Sequence, residues 1–486
     1  MGVEAAVPLQ LKRGAGRPVP LDQFAKPRRR VSANAVLGMG LWGLLWLGYN
    51  TDLGHVMEPN FPTNTMDLIH GVRAFFPMLA GWFACLMILA RSNRLFPWII
   101  GPLGLILLYA VTGLVSSATL SIDPTDALYY GANYLAIVLV LLAIVLVEDP
   151  LPDLRRMLGL TWIVGTILTF GLLGSIPFLG SQVVGVTEAN PAGMVAYTRV
   201  VGIMGMTGTR NTGFARYAAI SGLVALRGFM RKGNSATRII WGIVFSASMY
   251  ALIIANGRTE ILAFVASLAV LLGAERAKRF AYFLVGTGAA ILLGLRGFYS
   301  GFYFYLLRGR PIDLTMTGRT KIWAEGWHLL WKSPWMGFGF QADRYYLSGW
   351  HLHNAFLHVL LQSGFLGGGA ILIGLAIVWY YLIKYFILHQ PSDKSLIPPE
   401  IPAVFLFVTI SSIMESTFAF FSAAWLLSAP IVAYVMALHR HLRRARAKAA
   451  WEKLLRSRLP KHSLQAAGSR EGIEVVPPLA AGDTEH

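Results

Sequence analysis

The stretch "HLHNAFLHVLLQSGFLGGGAILIGLAIVWYYLIKYF", His351 to Phe386, decides the fold. Two histidines and an asparagine stand at its head, and the residues that follow are almost wholly apolar. A helix needs about twenty apolar residues to cross a hydrocarbon layer ~30 Å thick. Titratable groups at the mouth of such a run mark a candidate site, because they are costly to hold beside lipid.

Comparable runs recur along most of the chain. Its 486 residues are 55% hydrophobic and 14% charged, with a mean hydropathy of +0.55. A soluble domain carries about a quarter charged residues. The composition therefore predicts an all-α polytopic membrane protein. The alternating strands of a membrane β-barrel are absent from the sequence. Twelve spans are expected, at about 34–50, 74–90, 96–117, 128–147, 158–180, 213–230, 239–256, 260–274, 280–297, 364–386, 401–417 and 418–438.

The net charge of +18 would suggest nucleic acid in a soluble chain. Here the basic residues lie mostly in the tails and short loops, the positive-inside pattern, so membrane lipid and not nucleic acid is the expected partner. Basic clusters at "RSNR", "EDPLPDLRR", "RGFMRKGNSATR" and "ERAKR" follow even-numbered spans. They place both tails in the cytoplasm: residues 1–33, with "KPRRR", and residues 439–486, flanking a transmembrane domain over 34–438. The lone cysteine, Cys85, excludes an internal disulfide. No signal peptide is evident, because the first apolar run begins late and no small-residue cleavage site follows it.

On the outer side, 181–212 reads as a moderate loop and 298–352 as one long loop before the tenth span. Within the long loop, Trp323, Trp327, Leu330 and Trp331 have helical spacing. That pattern predicts a short amphipathic helix at the interface, where tryptophan prefers to sit. The two halves of the chain differ, which weighs against a transporter built from matched repeats.

Neither a Walker A loop nor HExxH is present. His351 and His353 offer two metal ligands without an obvious third, so no metal site and no cofactor is expected. "GFGF" and "GFLGGG" read as turns and helix packing, with Gly364 and Gly368 at small-xxx-small spacing. Arg210, Arg216, Arg258 and Arg319 lie on the outer side, where the positive-inside bias does not explain them. Snorkelling or local pairing, such as Arg258 with Glu260, accounts for any one of them. Several at the ends of different spans suggest a shared anionic ligand, since guanidinium grips phosphate with two prongs. Asn354 suits the N-cap of a helix beginning at Ala355. His353 reads either as an interfacial histidine or as a general base. His351, two residues earlier in an extended approach, is expected to point away.

"GRTKIW…SPWMGFGF…HNAFLHVLLQSGFLGG" resembles the signature region of the O-antigen ligase and polymerase superfamily, over about 250–370. The residues that carry it are Gly318, Arg319, Trp323, Pro334, Gly337, Gly339, His353 and Asn354, with "NGRTEILAF" at Asn256 as the earlier arginine-bearing turn. The resemblance implies a bacterial inner-membrane glycosyltransferase that works on the periplasmic face without metal or nucleotide sugar. Its donor would be a glycan on undecaprenyl diphosphate. Its acceptor would be a lipid A core sugar, for a ligase, or a second lipid-linked glycan, for an O-antigen or exopolysaccharide polymerase; a protein acceptor is a further version. Arg258 and Arg319 match the diphosphate-binding arginines and His353 the loop histidine. Arg210, Arg216 and Asn354 are the remaining substrate-binding candidates, although "TRNTGFAR" departs from the asparagine-rich form of its segment. A transporter or flippase of lipid-linked saccharides is the alternative from another class.

Overall fold

The computed structural model describes residues 33–49, 51, 61–62, 65–179, 184–189, 195–200, 209–231, 233–255, 257–273, 319–347, 349–388 and 397–458. The first helices are α1 (Ala33–Leu47), α2 (Thr65–Ala74), α3 (Phe76–Leu89), α4 (Pro102–Leu120), α5 (Pro124–Val145) and α6 (Pro150–Leu179). Next come strands β1 (Val184–Ala189), β2 (Val195–Val200) and β3 (Thr209–Arg210). Helices α7 (Asn211–Met230), α8 (Ser235–Ala255) and α9 (Arg258–Gly273) follow. The last group is α10 (Arg319–Leu330), α11 (Ala342–Tyr346), α12 (Ala355–Ile383), α13 (Glu400–Met414) and α14 (Ala423–Arg458).

The chain is a multi-pass helical membrane protein. Among the described residues, seven helices are long and apolar enough to cross a membrane. The spans expected at 34–50, 213–230, 260–274 and 401–417 fall on α1, α7, α9 and α13, which are shorter or less apolar. The span expected at 280–297 lies outside the described residues. Two compact units are present, Met1–Met436 and Ala437–His486. The described part of the second is the basic remainder of α14.

Residues 181–212, expected as a plain loop, include a three-stranded antiparallel sheet in the order β1-β2-β3. Val184 pairs with Val200, and Arg199 with Arg210. "VGVTEA" and "VAYTRV" are rich in β-branched residues, which favour the pleated chain over helix.

Local signals start the helices. Asp123 caps α5 by accepting the Asp126 N–H at 3.1 Å, with Pro124 at the first helical position. At the end of α1, the Arg73 guanidinium donates to the carbonyls of Leu47 (2.7 Å) and Tyr49 (2.9 Å), groups that a finishing helix leaves unpaired.

The Gly-rich motifs build a broken helix against a buried turn. The tenth span was expected at 364–386, but α12 starts at Ala355 and kinks at Ser363 and Gly364 (φ 61°). The kink frees carbonyls of the first half and amides of the second. Residues 334–339 take up both. Phe338 and Gly339 donate to Leu361 and Gln362, at 2.9 and 2.8 Å, while Phe365 and Leu366 donate to Pro334 and Trp335, at 2.6 and 3.3 Å. Non-helical backbone at membrane depth survives only when its polar groups are met in this way.

Glycine is required here for space and handedness. A Cβ on Gly364 would lie 2.2 Å from the Trp335 carbonyl carbon, and one on Gly339 (φ 87°) 2.6 Å from Ser117 Cα. Gly364 is thus the break in the helix, not a small-xxx-small packing position. Close approach of α12 to α4 falls at Gly367, against Thr112, and at Gly374, against Pro102. Phe340 then plugs the turn into the bundle. It is fully buried, against the rings of Tyr109 and Tyr134 and over Gly113 and Gly131.

Candidate functional site

The turn fixes the polar residues that follow it. Leu329, Ala342, Leu347, Leu352 and Leu361 form a buried cluster, with Ile322, Trp323, Phe338, Tyr346 and Leu357 against it. This cluster ties α10 and α11 to the head of α12. The expected tryptophan stripe on α10 divides: Trp323 donates its indole N–H to the Leu352 carbonyl at 2.7 Å, whereas Trp327 and Trp331 are exposed. The buried face of α10 carries Gly326, Leu329 and Leu330.

Asn354 caps α12 as expected, with Oδ1 accepting the Leu357 N–H at 2.9 Å. His353, one residue earlier, has a left-handed backbone (φ 48°). For a residue with a Cβ that conformation costs on the order of 1–3 kcal/mol and persists only where its surroundings impose it.

Three of the sequence-derived residues meet on a carboxylate that sequence reasoning missed. Glu415 stands between α13 and α14, with its side chain largely buried. Its Oε2 lies 3.2 Å from His353 Nδ1 and 4.0 Å from an Arg216 guanidinium nitrogen. Its Oε1 lies 3.6 Å from Arg319, which also donates to the Met414 carbonyl at 2.8 Å. Burial by itself raises the Glu415 pKa. The hydrogen bond from His353 and the charge of Arg216 outweigh it, and the carboxyl sits below its usual range.

Two arginines, Arg216 and Arg319, face the one Glu415 carboxylate. Glu260, buried on α9, is within electrostatic reach of Arg216 and Arg319 as well. Arg258 heads α9 and is exposed. Glu260, the local partner the sequence suggested for it, interacts electrostatically with Arg216. Arg210 lies in β3, where its side chain is outside the described residues.

A second polar group lies beside the first. His351 does not point away: its ring centroid is 4.6 Å from that of His353 and 5.3 Å from that of His358. Its Nδ1 is 2.6 Å from Oδ2 of the buried Asp343, which also accepts the Leu352 N–H at 3.1 Å. Asp343 Oδ1 lies 3.2 Å from His358 Nε2, out of line for a hydrogen bond, and His358 Nδ1 is 2.9 Å from Ser416 Oγ. Burial raises the Asp343 pKa, but the charge at His358 and the hydrogen bond from His351 outweigh it and hold the carboxyl well below the usual range. Burial pushes the His351 imidazole down to about 4, only partly offset by Asp343.

Asp343, His351 and His358 bring one donor atom each within 4.8 Å of the others, a set that shares only His351 with the His351 and His353 pair read from the sequence. That donor set suits a divalent cation. The signals for Glu415 and His358 were present, since a titratable group in an apolar run marks a site by default. Their partners, far off in sequence, could not be read from it.

A helical membrane protein with a cluster of arginine, histidine and glutamate at its helix ends is the class this architecture defines. The family model described as O-Antigen ligase matches residues 241–372. That region carries Arg258, Arg319, His353 and Asn354. The chain is also similar to the exopolysaccharide production protein ExoQ of Rhizobium meliloti (strain 1021), at 22% identity over 170 residues. The match covers 30% of this chain and 39% of that relative. Arg216 and Glu415 lie outside the family match.

Proposed function

We propose that this protein transfers a glycan from undecaprenyl diphosphate to a sugar hydroxyl at the periplasmic face of the bacterial inner membrane, with both termini cytoplasmic. The observation that carries the reading is the convergence of Arg216, Arg319 and His353 on Glu415.

The chemistry follows from that arrangement. As the anomeric C–O bond breaks, negative charge grows on the diphosphate, and fixed guanidinium groups stabilise it. Arg319 and Arg216 take this role, and Arg258 and Arg210 are the further substrate-binding candidates. Glu415 accepts the Nδ1 proton of His353, which leaves the Nε2 lone pair for the acceptor hydroxyl. Proton transfer to Nε2 makes an imidazolium that Glu415 steadies. In-line attack inverts the anomeric centre. Asn354 supports the site by capping α12.

The acceptor is a lipid A core sugar in a ligase and a second lipid-linked glycan in a polymerase. The likeness to an exopolysaccharide production protein favours the polymerase. The test is reconstitution of the purified protein in vesicles with undecaprenyl-diphosphate-linked glycan and each acceptor. Transfer to one acceptor, with release of undecaprenyl diphosphate, is expected. Movement of the lipid-linked glycan across the bilayer without any transfer would assign the protein to the transporter class instead.

A further inference from the structure

We infer that Asp343 is a positioning residue that orients both members of the His353–Glu415 pair, through two separate arms. One arm runs through His351, held at 2.6 Å, and the Leu352 N–H, held at 3.1 Å; His353 is the next residue. The other runs through His358, 3.2 Å from Asp343, to the Ser416 hydroxyl, 2.9 Å further on; Glu415 is its neighbour in the chain. This inference rests on His353 acting as the base.

The geometry suits positioning over direct chemistry. Asp343 and His358 are fully buried. Phe420 packs against both rings, tilted to His351 and edge-on to His358, with centroids 5.6 and 5.5 Å away. His353 and Glu415 come from segments 62 residues apart, and one of the two has a left-handed backbone. Nothing local fixes their distance. A single buried carboxylate, hydrogen-bonded to the turn before α12 and in charge contact with His358, whose other ring nitrogen holds the turn after α13, does fix it. A buried charge with several partners is also rigid, since swinging away would strand it in a low-dielectric interior.

The test uses the full chain, purified and reconstituted with lipid-linked glycan, in the variants Asp343→Asn, Ser416→Ala, Ser416→Thr and His353→Ala. Asp343→Asn and Ser416→Ala should lower kcat, by about tenfold or more, while the KM for donor changes less than about twofold, because the arginines are untouched. Ser416→Thr, which keeps the hydroxyl, should restore the rate. Ser416→Ala placed in the His353→Ala background should cost nothing further, as expected when one residue acts only through the other. Should Asp343→Asn fail to accumulate, Ser416→Ala decides alone, since it removes only the outermost link. An unchanged kcat in Ser416→Ala, or additive losses in the double variant, overturns the inference. So does a stoichiometric divalent metal whose removal reproduces the Asp343→Asn defect, which would make Asp343 a ligand. If His353→Ala itself transfers at the wild-type rate, the assignment of the base fails first, and separately.

Discussion

Glu415 Oε2 lies 3.2 Å from Nδ1 of His353, although the two residues stand on different helix ends 62 positions apart. Carboxylate at one ring nitrogen sets the tautomer and aims the other nitrogen. The same carboxylate faces two guanidinium groups, so the proposed base and the proposed anion site share one hub.

Glu415→Gln keeps the shape of that hub and removes its charge. It should lower kcat on the order of a hundredfold or more, as loss of an orienting carboxylate does elsewhere. Donor affinity should hold or improve, because Arg216 and Arg319 no longer face an internal anion. Equilibrium binding of undecaprenyl diphosphate beside single-turnover rates checks this. A variant that binds donor much more weakly but turns over normally would give Glu415 a binding role instead.

Arg319→Lys tests the two-pronged contact. Arg319 donates to Met414 O while a second nitrogen faces Glu415, and a lysine point charge cannot do both. Transfer should fall about a hundredfold, the loss of roughly 3 kcal/mol of transition-state stabilisation, with the protein still accumulating in the membrane. Normal turnover in the lysine variant would leave Arg319 a snorkelling residue.

His353→Ala should lose about 10²–10⁴ in rate, the usual share of a general base. Its effect on stability should be small, since replacing a left-handed non-glycine residue removes a favourable contact but leaves the cap at Asn354 intact. His353→Gly relieves the backbone as well, and should be equally inactive yet at least as stable. Thermal unfolding in detergent, alongside rates, separates the two effects.

His351 gives a pH dependence of stability. Its folded-state pKa, about 4, lies below the ordinary value of 6.5. Folding therefore favours the neutral ring. The stabilisation is complete above pH 6.5 and is lost as pH falls toward 4, to a total of roughly 3 kcal/mol. Melting temperature should drop across that window in wild type and flatten in His351→Asn. His351→Ala should also be destabilised at pH 7, because it strips a hydrogen bond from the buried Asp343. A wild-type melting temperature that stays level from pH 6.5 to 4 would count against the buried neutral ring.

The broken helix predicts a contrast between two glycines five residues apart. Gly364→Ala would put a Cβ 2.2 Å from the Trp335 backbone at a positive φ, so the protein should fail to accumulate. Gly369→Ala meets nothing within 4 Å and should be neutral or slightly stabilising. Membrane yield and size-exclusion profiles measure both. Equal tolerance at the two positions would remove the kink from the account.

The sequence by itself determined the class and the cap at Asn354, and it singled out Arg216, Arg319 and His353 as candidates. These are local signals: apolar run length, charge bias and residue type follow from transfer energies and backbone geometry over a few residues. It misjudged the start of α12, because a run of apolar residues does not show where a helix breaks, and the break at Gly364 depends on carbonyls and amides supplied by Pro334 to Gly339. It missed the sheet in 181–212 by reading polarity and not strand propensity. Only the tertiary structure brought Glu415 to Arg216, Arg319 and His353, and Asp343 to His351 and His358. Those contacts join distant segments, and their strength comes from burial, where an unpartnered charge is far costlier than in water. Which partner each buried charge finds is therefore a property of the packed helices and not of any single stretch of chain.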